Sequence, residues 1–250
     1  VPLLLYPRGL NVEGYKEVLK SSDIWTGFRN AVIYTGLGTV INLIVTTIAA
    51  YPLSRSGLRG KRFFTLFFTI TMFFSGGLIP TYLVNQQLGI VNTLWVMILP
   101  GALGVYNMIL MRTYFSQNIP NDLIESAYID GANDLWLLWK VVLPLATPII
   151  AVMAMFYGVG RWNAYFDALI YLQDRAKYPL QIILREILVQ GQFGQDMNQI
   201  IAGSAESELL MLKMTLKYSV VIVSSLPVLL FYPVVAKYFE KGILVGSIKG

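Results

Sequence analysis

The sequence predicts an all-α, polytopic membrane protein, and three observations carry that prediction. Charged residues fill 13% of the 250 positions, about half of the roughly 25% found in ordinary soluble domains. Hydrophobic residues fill 56%, and the mean hydropathy is +0.60. The 19 basic and 14 acidic residues are also unevenly placed. Five stretches carry no charge: residues 30–53, 63–83, 93–111, 141–160 and 218–236. Each has about the 20 residues that a helix needs to cross 30 Å of hydrocarbon. A soluble protein with five such stretches would have too little polar surface to cover them. The chain has no His and no Cys. That excludes Ser-His-Asp and Cys-His nucleophiles, His-ligated zinc, disulfides and thiol redox motifs.

Residues 1–29 read as an extracytoplasmic segment leading into the membrane, and residues 30–236 as the transmembrane domain. The first visible span, 30–53, is followed by Arg55, Arg59, Lys61 and Arg62 with no acid among them, which places this loop in the cytoplasm. After the second span, residues 84–92 are uncharged and fall outside. Alternation then puts the loop after the third span (93–111) inside, residues 161–217 outside, and the tail 237–250 inside. The outer segment holds six basic residues, but long loops translocate regardless of charge. The chain opens on Val1, and its first residues do not form a signal peptide. An outside start therefore predicts a sixth, N-terminal span absent from this chain. Gly76, Gly77, Pro80, Pro100, Pro148, Pro227 and Pro233 lie within the spans, where breakers are better tolerated than in soluble helices.

No span carries Asp, Glu, Lys or Arg. Ion-driven carriers usually hold such a group in the bilayer, so the energy for transport is expected from a partner. An uncoupled channel or secondary carrier for a polar solute is the alternative, since backbone carbonyls also coordinate sodium. Asn42, Thr46, Thr47, Thr69, Ser75, Asn107, Ser224 and Ser225 place uncharged hydrogen-bonding groups in the spans. Tyr34, Tyr82, Trp95, Tyr106, Tyr157, Trp162 and Tyr165 add aromatics. Sugars are bound by that pairing, although helix–helix bonding and interfacial anchoring use the same residues. Asn107, Tyr157, Trp162 and Asn163 are the candidates for a translocation path.

The cytoplasmic loop, counted as residues 112–144 to its closing proline, is too apolar for a linker. Pro120-Asn121-Asp122 starts a helix, Leu123, Ile124, Ala127 and Tyr128 recur at helical spacing, and Gly131 stops it. A second helix is expected from Leu135 to Val142, ending before Pro144. Leu135, Trp136, Leu138 and Trp139 give the pair an apolar surface suited to a socket in another protein, or to packing on the chain's own spans.

These residues carry a family resemblance. Glu125-Ser126-Ala127-Tyr128-Ile129-Asp130-Gly131, nine residues, then Val141-Val142-Leu143-Pro144 resembles the EAA loop of binding-protein-dependent ABC importer permeases. Glu125, Ala127, Gly131, Leu143 and Pro144 match in place. Ser126 and Val141 replace Ala and Ile. Asp130-Gly131-Ala132 and Trp162-Asn163 are similar to the carbohydrate-uptake group. The resemblance implies a coupling helix seated in an ATPase subunit, with Glu125, Ala127, Asp130, Gly131, Leu143 and Pro144 as its ATPase-coupling residues. Pro144 and Pro148 would bend the entry to the fourth span.

In the outer segment, Leu180, Ile183, Leu184, Ile187 and Leu188 form an amphipathic helix, expected to lie on the membrane surface. Residues 191–204, rich in Gln, Gly and Asn, read as an exposed loop. In similar maltose-type permeases this loop enters the sugar-binding protein, which makes Gln192, Phe193, Gly194 and Gln195 the candidate contacts. The Gly-spaced tail 237–250 is similar to tails that lie between ATPase subunits. The basic loop after the first span is a topology signal and lipid contact, and no nucleic-acid partner is expected. The expected protein is thus a non-catalytic, multi-pass permease subunit of the bacterial cytoplasmic membrane that imports a carbohydrate. The substrate class indicated by the resemblance is an oligosaccharide, including acidic ones such as alginate fragments. Its expected partners are a second permease subunit, two ATP-binding cassette subunits that bind the ATP and Mg, and an extracytoplasmic sugar-binding protein. No cofactor or metal is expected in this chain.

Overall fold

A 33-residue helix, α1 (Ser22–Ser54), forms the spine around which the other elements pack. At 1.5 Å per residue it is about 50 Å long, which exceeds the hydrocarbon thickness and carries it into the aqueous layer on at least one side. The computed structural model describes residues 16, 20–198, 218–219, 221–227, 229–230 and 233, and among these residues it contains helices and turns but no strand.

Absence of charge does not mean an unbroken helix. The second charge-free stretch folds as α2 (Lys61–Phe73) and α3 (Leu78–Gln87), set at 114° to each other. The break falls at Gly76-Gly77, where Gly77 has φ 85° and ψ 177°, backbone angles open almost solely to glycine. Pro80 lies in the first turn of α3, where no intrahelical N–H is needed. The third stretch opens with a 3₁₀ turn (Leu94–Met97), turns again at Pro100-Gly101, and becomes helical only in α4 (Val105–Asn118). Among the described residues, α1 alone is an unbroken helix with the length and apolarity to cross a membrane. Two bent pairs meet the test when each is taken as one span.

The cytoplasmic loop forms two helices. α5 (Asn121–Ile129) follows Pro120 at its N-cap. It ends in a Schellman turn: Ala132 N–H donates to Ala127 O at 2.9 Å and Gly131 N–H to Tyr128 O at 3.0 Å, with Gly131 at φ 84°. Asn133 then caps α6 (Asp134–Leu145), its side chain accepting from Trp136 N–H at 2.8 Å. Pro144 does not stop this helix, contrary to the sequence expectation. Residues Leu138–Val142 widen into a π turn, which relieves the clash a proline makes with the carbonyl four residues back. The chain then bends by 83° into α7 (Thr147–Trp162), the bend expected at Pro144 and Pro148.

The outer segment supplies α8 (Tyr165–Tyr171), a 3₁₀ turn (Arg175–Lys177) and α9 (Leu180–Asn198). The apolar stripe of α9 is not turned to a membrane surface. Leu180, Ile183 and Leu184 are buried against Ile24 and Ala31 of α1 and against Trp162. The helix also continues through the stretch expected to be a loop, as far as Asn198. The described residues between 218 and 233 are helical. The remainder of the fifth span, residues 199–204 and the tail 237–250 lie outside the described residues.

Candidate functional site

Both helices of the cytoplasmic loop are built into the main core. Ile124 of α5 and Leu137, Leu138 and Val142 of α6 share one cluster with Ala50, Tyr51 and Leu53 of α1. Met108, Met111 and Phe115 of α4 and Met153 and Tyr157 of α7 complete its centre. Ala127 and Leu143, two of the motif positions, pack on its edge. α5 therefore cannot be displaced without loading α1, α4 and α7, which share its core.

The opposite side of the loop is uncovered. Ile129, Leu135, Trp136 and Trp139 are exposed, at 86, 70, 50 and 65% of their surface. Glu125 is exposed and makes no ion pair among the described residues. Asp130 is exposed at the end of α5, and Pro144 is exposed within α6. An apolar surface with an unpaired carboxylate at its edge suits a partner that offers an apolar cleft and a cation. The sequence pattern grouped Leu138 with this surface, with packing on the chain's own spans as the alternative; Leu138 is only 6% exposed and takes the second course.

Of the path candidates, two lie in the interior. The Tyr157 hydroxyl shares a 2.6 Å hydrogen bond with Thr46 Oγ1 of α1 and accepts from Gly104 N–H at 3.2 Å. Trp162 donates from Nε1 to Ser224 O at 3.2 Å and meets Phe28 edge-on. Asn163 is exposed and bonds back to Val159 O. Asn107 is half-buried in the first turn of α4. Tyr157 and Asn107 converge on Gly104, where an added Cβ would lie 3.0 Å from the Tyr157 hydroxyl and 3.3 Å from Asn107 Nδ2. Gln192, Phe193, Gly194 and Gln195 fall on the helical backbone of α9.

Arg161 is the residue whose role sequence reasoning missed. It stands one turn beyond Tyr157, in the last turn of α7. Its Nη1 donates to Met97 O at 2.8 Å, and its Nη2 lies 2.9 Å from Ile98 O and 3.1 Å from both Pro100 O and Asn42 Oδ1. These carbonyls are the ones left unpaired where the third stretch fails to form an α-helix. A guanidinium supplies several donors in one rigid plane, which suits a cluster of fixed oxygens. The same α1 face also holds the outer segment: Asn30 donates to Ala176 O and Tyr178 O, and Tyr34 to Lys177 O.

Among the described residues no three acidic side chains gather as a metal site. The arrangement is a bent helical scaffold with exposed apolar side chains on the cytoplasmic loop and also along α2 and α3. Residues 25–245 match the family described as "Binding-protein-dependent transport system inner membrane component", and the chain belongs to that family. It is an ABC importer permease subunit, and the alternative of an uncoupled carrier is set aside.

Among its relatives is the Polygalacturonan/rhamnogalacturonan transport system permease protein YtcP of Bacillus subtilis (strain 168). The two are 40% identical over 248 residues, 99% of this chain and 85% of that protein. Protein LplC of the same organism is 36% identical over 98% of this chain and 81% of its own length. A solved chain from a bacterial ABC transporter involved in the import of the acidic polysaccharide alginate superposes with a TM-score of 0.82. That match has 34% identity and covers 94% of this chain and 82% of the other.

Proposed function

We propose that this permease subunit takes up an oligosaccharide containing uronic acids across the bacterial cytoplasmic membrane, as a multi-pass protein paired with a second permease subunit. The observation that carries the transport reading is the cytoplasmic loop, anchored in the membrane core on one side and bare on the other. α5 is the coupling helix, with Glu125 meeting a cation of an ATPase subunit while Ile129, Leu135, Trp136 and Trp139 enter its cleft. Gly131 lets the chain turn tightly enough for α6 to stand beside α5, and Ala127, Asp130, Leu143 and Pro144 hold that pair in shape. ATP and Mg are bound by two partner ATPase subunits. The chain itself carries no cofactor and performs no catalysis.

The substrate class is supported by relatives whose names specify polygalacturonan, rhamnogalacturonan and alginate, all acidic polymers. In this conformation the Arg161 donors are engaged by protein oxygens. Selection for a carboxylate therefore falls to the binding protein, the second permease subunit or helix N-termini. Tyr157, Trp162, Asn107 and Asn163 would face the path only after the helices around Arg161 part. Uptake by the reconstituted importer with its binding protein, across a panel of neutral and uronic-acid oligosaccharides, tests the assignment. Preference for the acidic members is expected; uptake of the neutral ones alone would refute it.

A further inference from the structure

Asp134 stands where three elements meet at the cytoplasmic end, and the coupling role above does not use it. It opens α6, and its Oδ1 accepts a hydrogen bond from the Tyr128 hydroxyl of α5 at 2.6 Å. The same oxygen accepts from the Tyr51 hydroxyl, near the end of α1, at 3.5 Å. Tyr51 is 5% exposed, and the Arg55 guanidinium lies over its ring at 5.1 Å from the centroid. Tyr51, Arg55, Tyr128 and Asp134, together with Glu125, line a cleft of about 600 Å³ between α1 and the cytoplasmic loop.

We propose that Asp134 is a positioning residue of the transport cycle, a pin that fixes α5 and α6 to the end of α1 in this conformation and releases on the α1 side when the ATPase drives α5. The inference rests on the reading of α5 as the coupling helix. Three features support it. The apolar core that joins these helices is non-directional, whereas a carboxylate bonded to two hydroxyls defines one register. The two bonds are unequal. A 2.6 Å O–H···O⁻ contact is at the strong end of the range and one of 3.5 Å is at the limit, so load parts Asp134 from Tyr51 before it parts Asp134 from Tyr128. Finally, Arg55 Nη2 is buried without a hydrogen-bond partner among the described residues. It gives the freed carboxylate a second, charge-assisted partner on the same helix end, and hence a second discrete arrangement.

The test uses the complete importer in proteoliposomes and reads the ratio of binding-protein-stimulated to basal ATP hydrolysis. Tyr51→Phe removes one hydroxyl and leaves the ring in the core. It is expected to lower the ratio by about twofold, the effect of one weak hydrogen bond, with the basal rate rising. Asp134→Ala is expected to lower it at least as far. A purely structural role would reduce the amount of assembled complex, or both rates together, and an unchanged ratio in Tyr51→Phe overturns the proposal even where Asp134→Ala fails to assemble. Glu125→Lys separates the two readings. If it loses stimulation while Tyr51→Phe keeps the wild-type ratio, the pin fails and the coupling helix stands. If Glu125→Lys behaves as wild type, the coupling assignment itself fails.

Discussion

Arg161 shows how one residue sets a local structure that its sequence context does not announce. Without it, the carbonyls of Met97, Ile98 and Pro100 and the amide oxygen of Asn42 lose their donor at once. Each buried polar group left unpaired costs about 1–3 kcal/mol. Arg161→Met is therefore expected to lower the midpoint of thermal unfolding in detergent, and Arg161→Lys to recover only part of the loss, because an ammonium cannot match the planar spread of donors. An Arg161→Met protein that melts with the wild type would show that the cluster contributes nothing. Gly38 belongs to the same argument: a Cβ there would lie 3.3 Å from Arg161 Cδ and Nε. Tyr128 bears on pH. Its hydroxyl is pushed up from 10.0 to about 12, first by the hydrogen bond to Asp134 and then by burial. A raised pKa means that the stabilisation is complete below pH 10 and fades as pH rises through 12. ATPase stimulation measured between pH 6 and 9 should therefore show no titration traceable to this tyrosine; a step that disappears in Tyr128→Phe would contradict this.

Among the elements, α1 is the organising one, and the row Asn30, Tyr34, Gly38, Asn42 and Thr46 shows why. The row repeats every four residues, slightly more than one 3.6-residue turn, so it winds slowly around the helix and meets successive partners. Those partners are the 176–178 backbone, Arg161, and then Tyr157. The polar residues in this span thus serve mainly to bond helices together. α9 makes a separate prediction. If its far end docks the binding protein, deletion of residues 192–198 should abolish binding-protein-stimulated ATP hydrolysis and leave the basal rate intact; unchanged stimulation would make the segment a spacer.

The sequence made some of these elements legible and hid others for physical reasons. The helix start at Pro120 and the stop at Gly131 were readable, because capping depends on local side-chain and backbone chemistry. The apolar stripe of α9 was readable from its period, but not what would cover it. The breaks at Gly76-Gly77 and Pro100-Gly101 escaped a reading based on charge, because hydropathy is blind to backbone direction. The Arg161 cluster escaped because three of its acceptors are main-chain oxygens 61 to 64 residues away, and every residue has one.

At the scale of the whole molecule, the proposed role is that of a lever between two other proteins. The lack of His and Cys, the scarcity of charge and the exposed apolar side chains of the cytoplasmic loop fit the proposed role of a subunit moved by a partner's ATP hydrolysis. The loop shares its apolar core with α1, α4 and α7, so under the proposed coupling role motion at α5 would be passed to the helices around Tyr157. The most direct test is uptake of a labelled oligogalacturonide into proteoliposomes holding the assembled importer and its binding protein, with wild-type and Glu125→Lys permease compared. The account predicts uptake that requires ATP and the ATPase subunits, and its loss in Glu125→Lys with membrane insertion unchanged. Uptake that runs without ATP, or at the wild-type rate in Glu125→Lys, would contradict it.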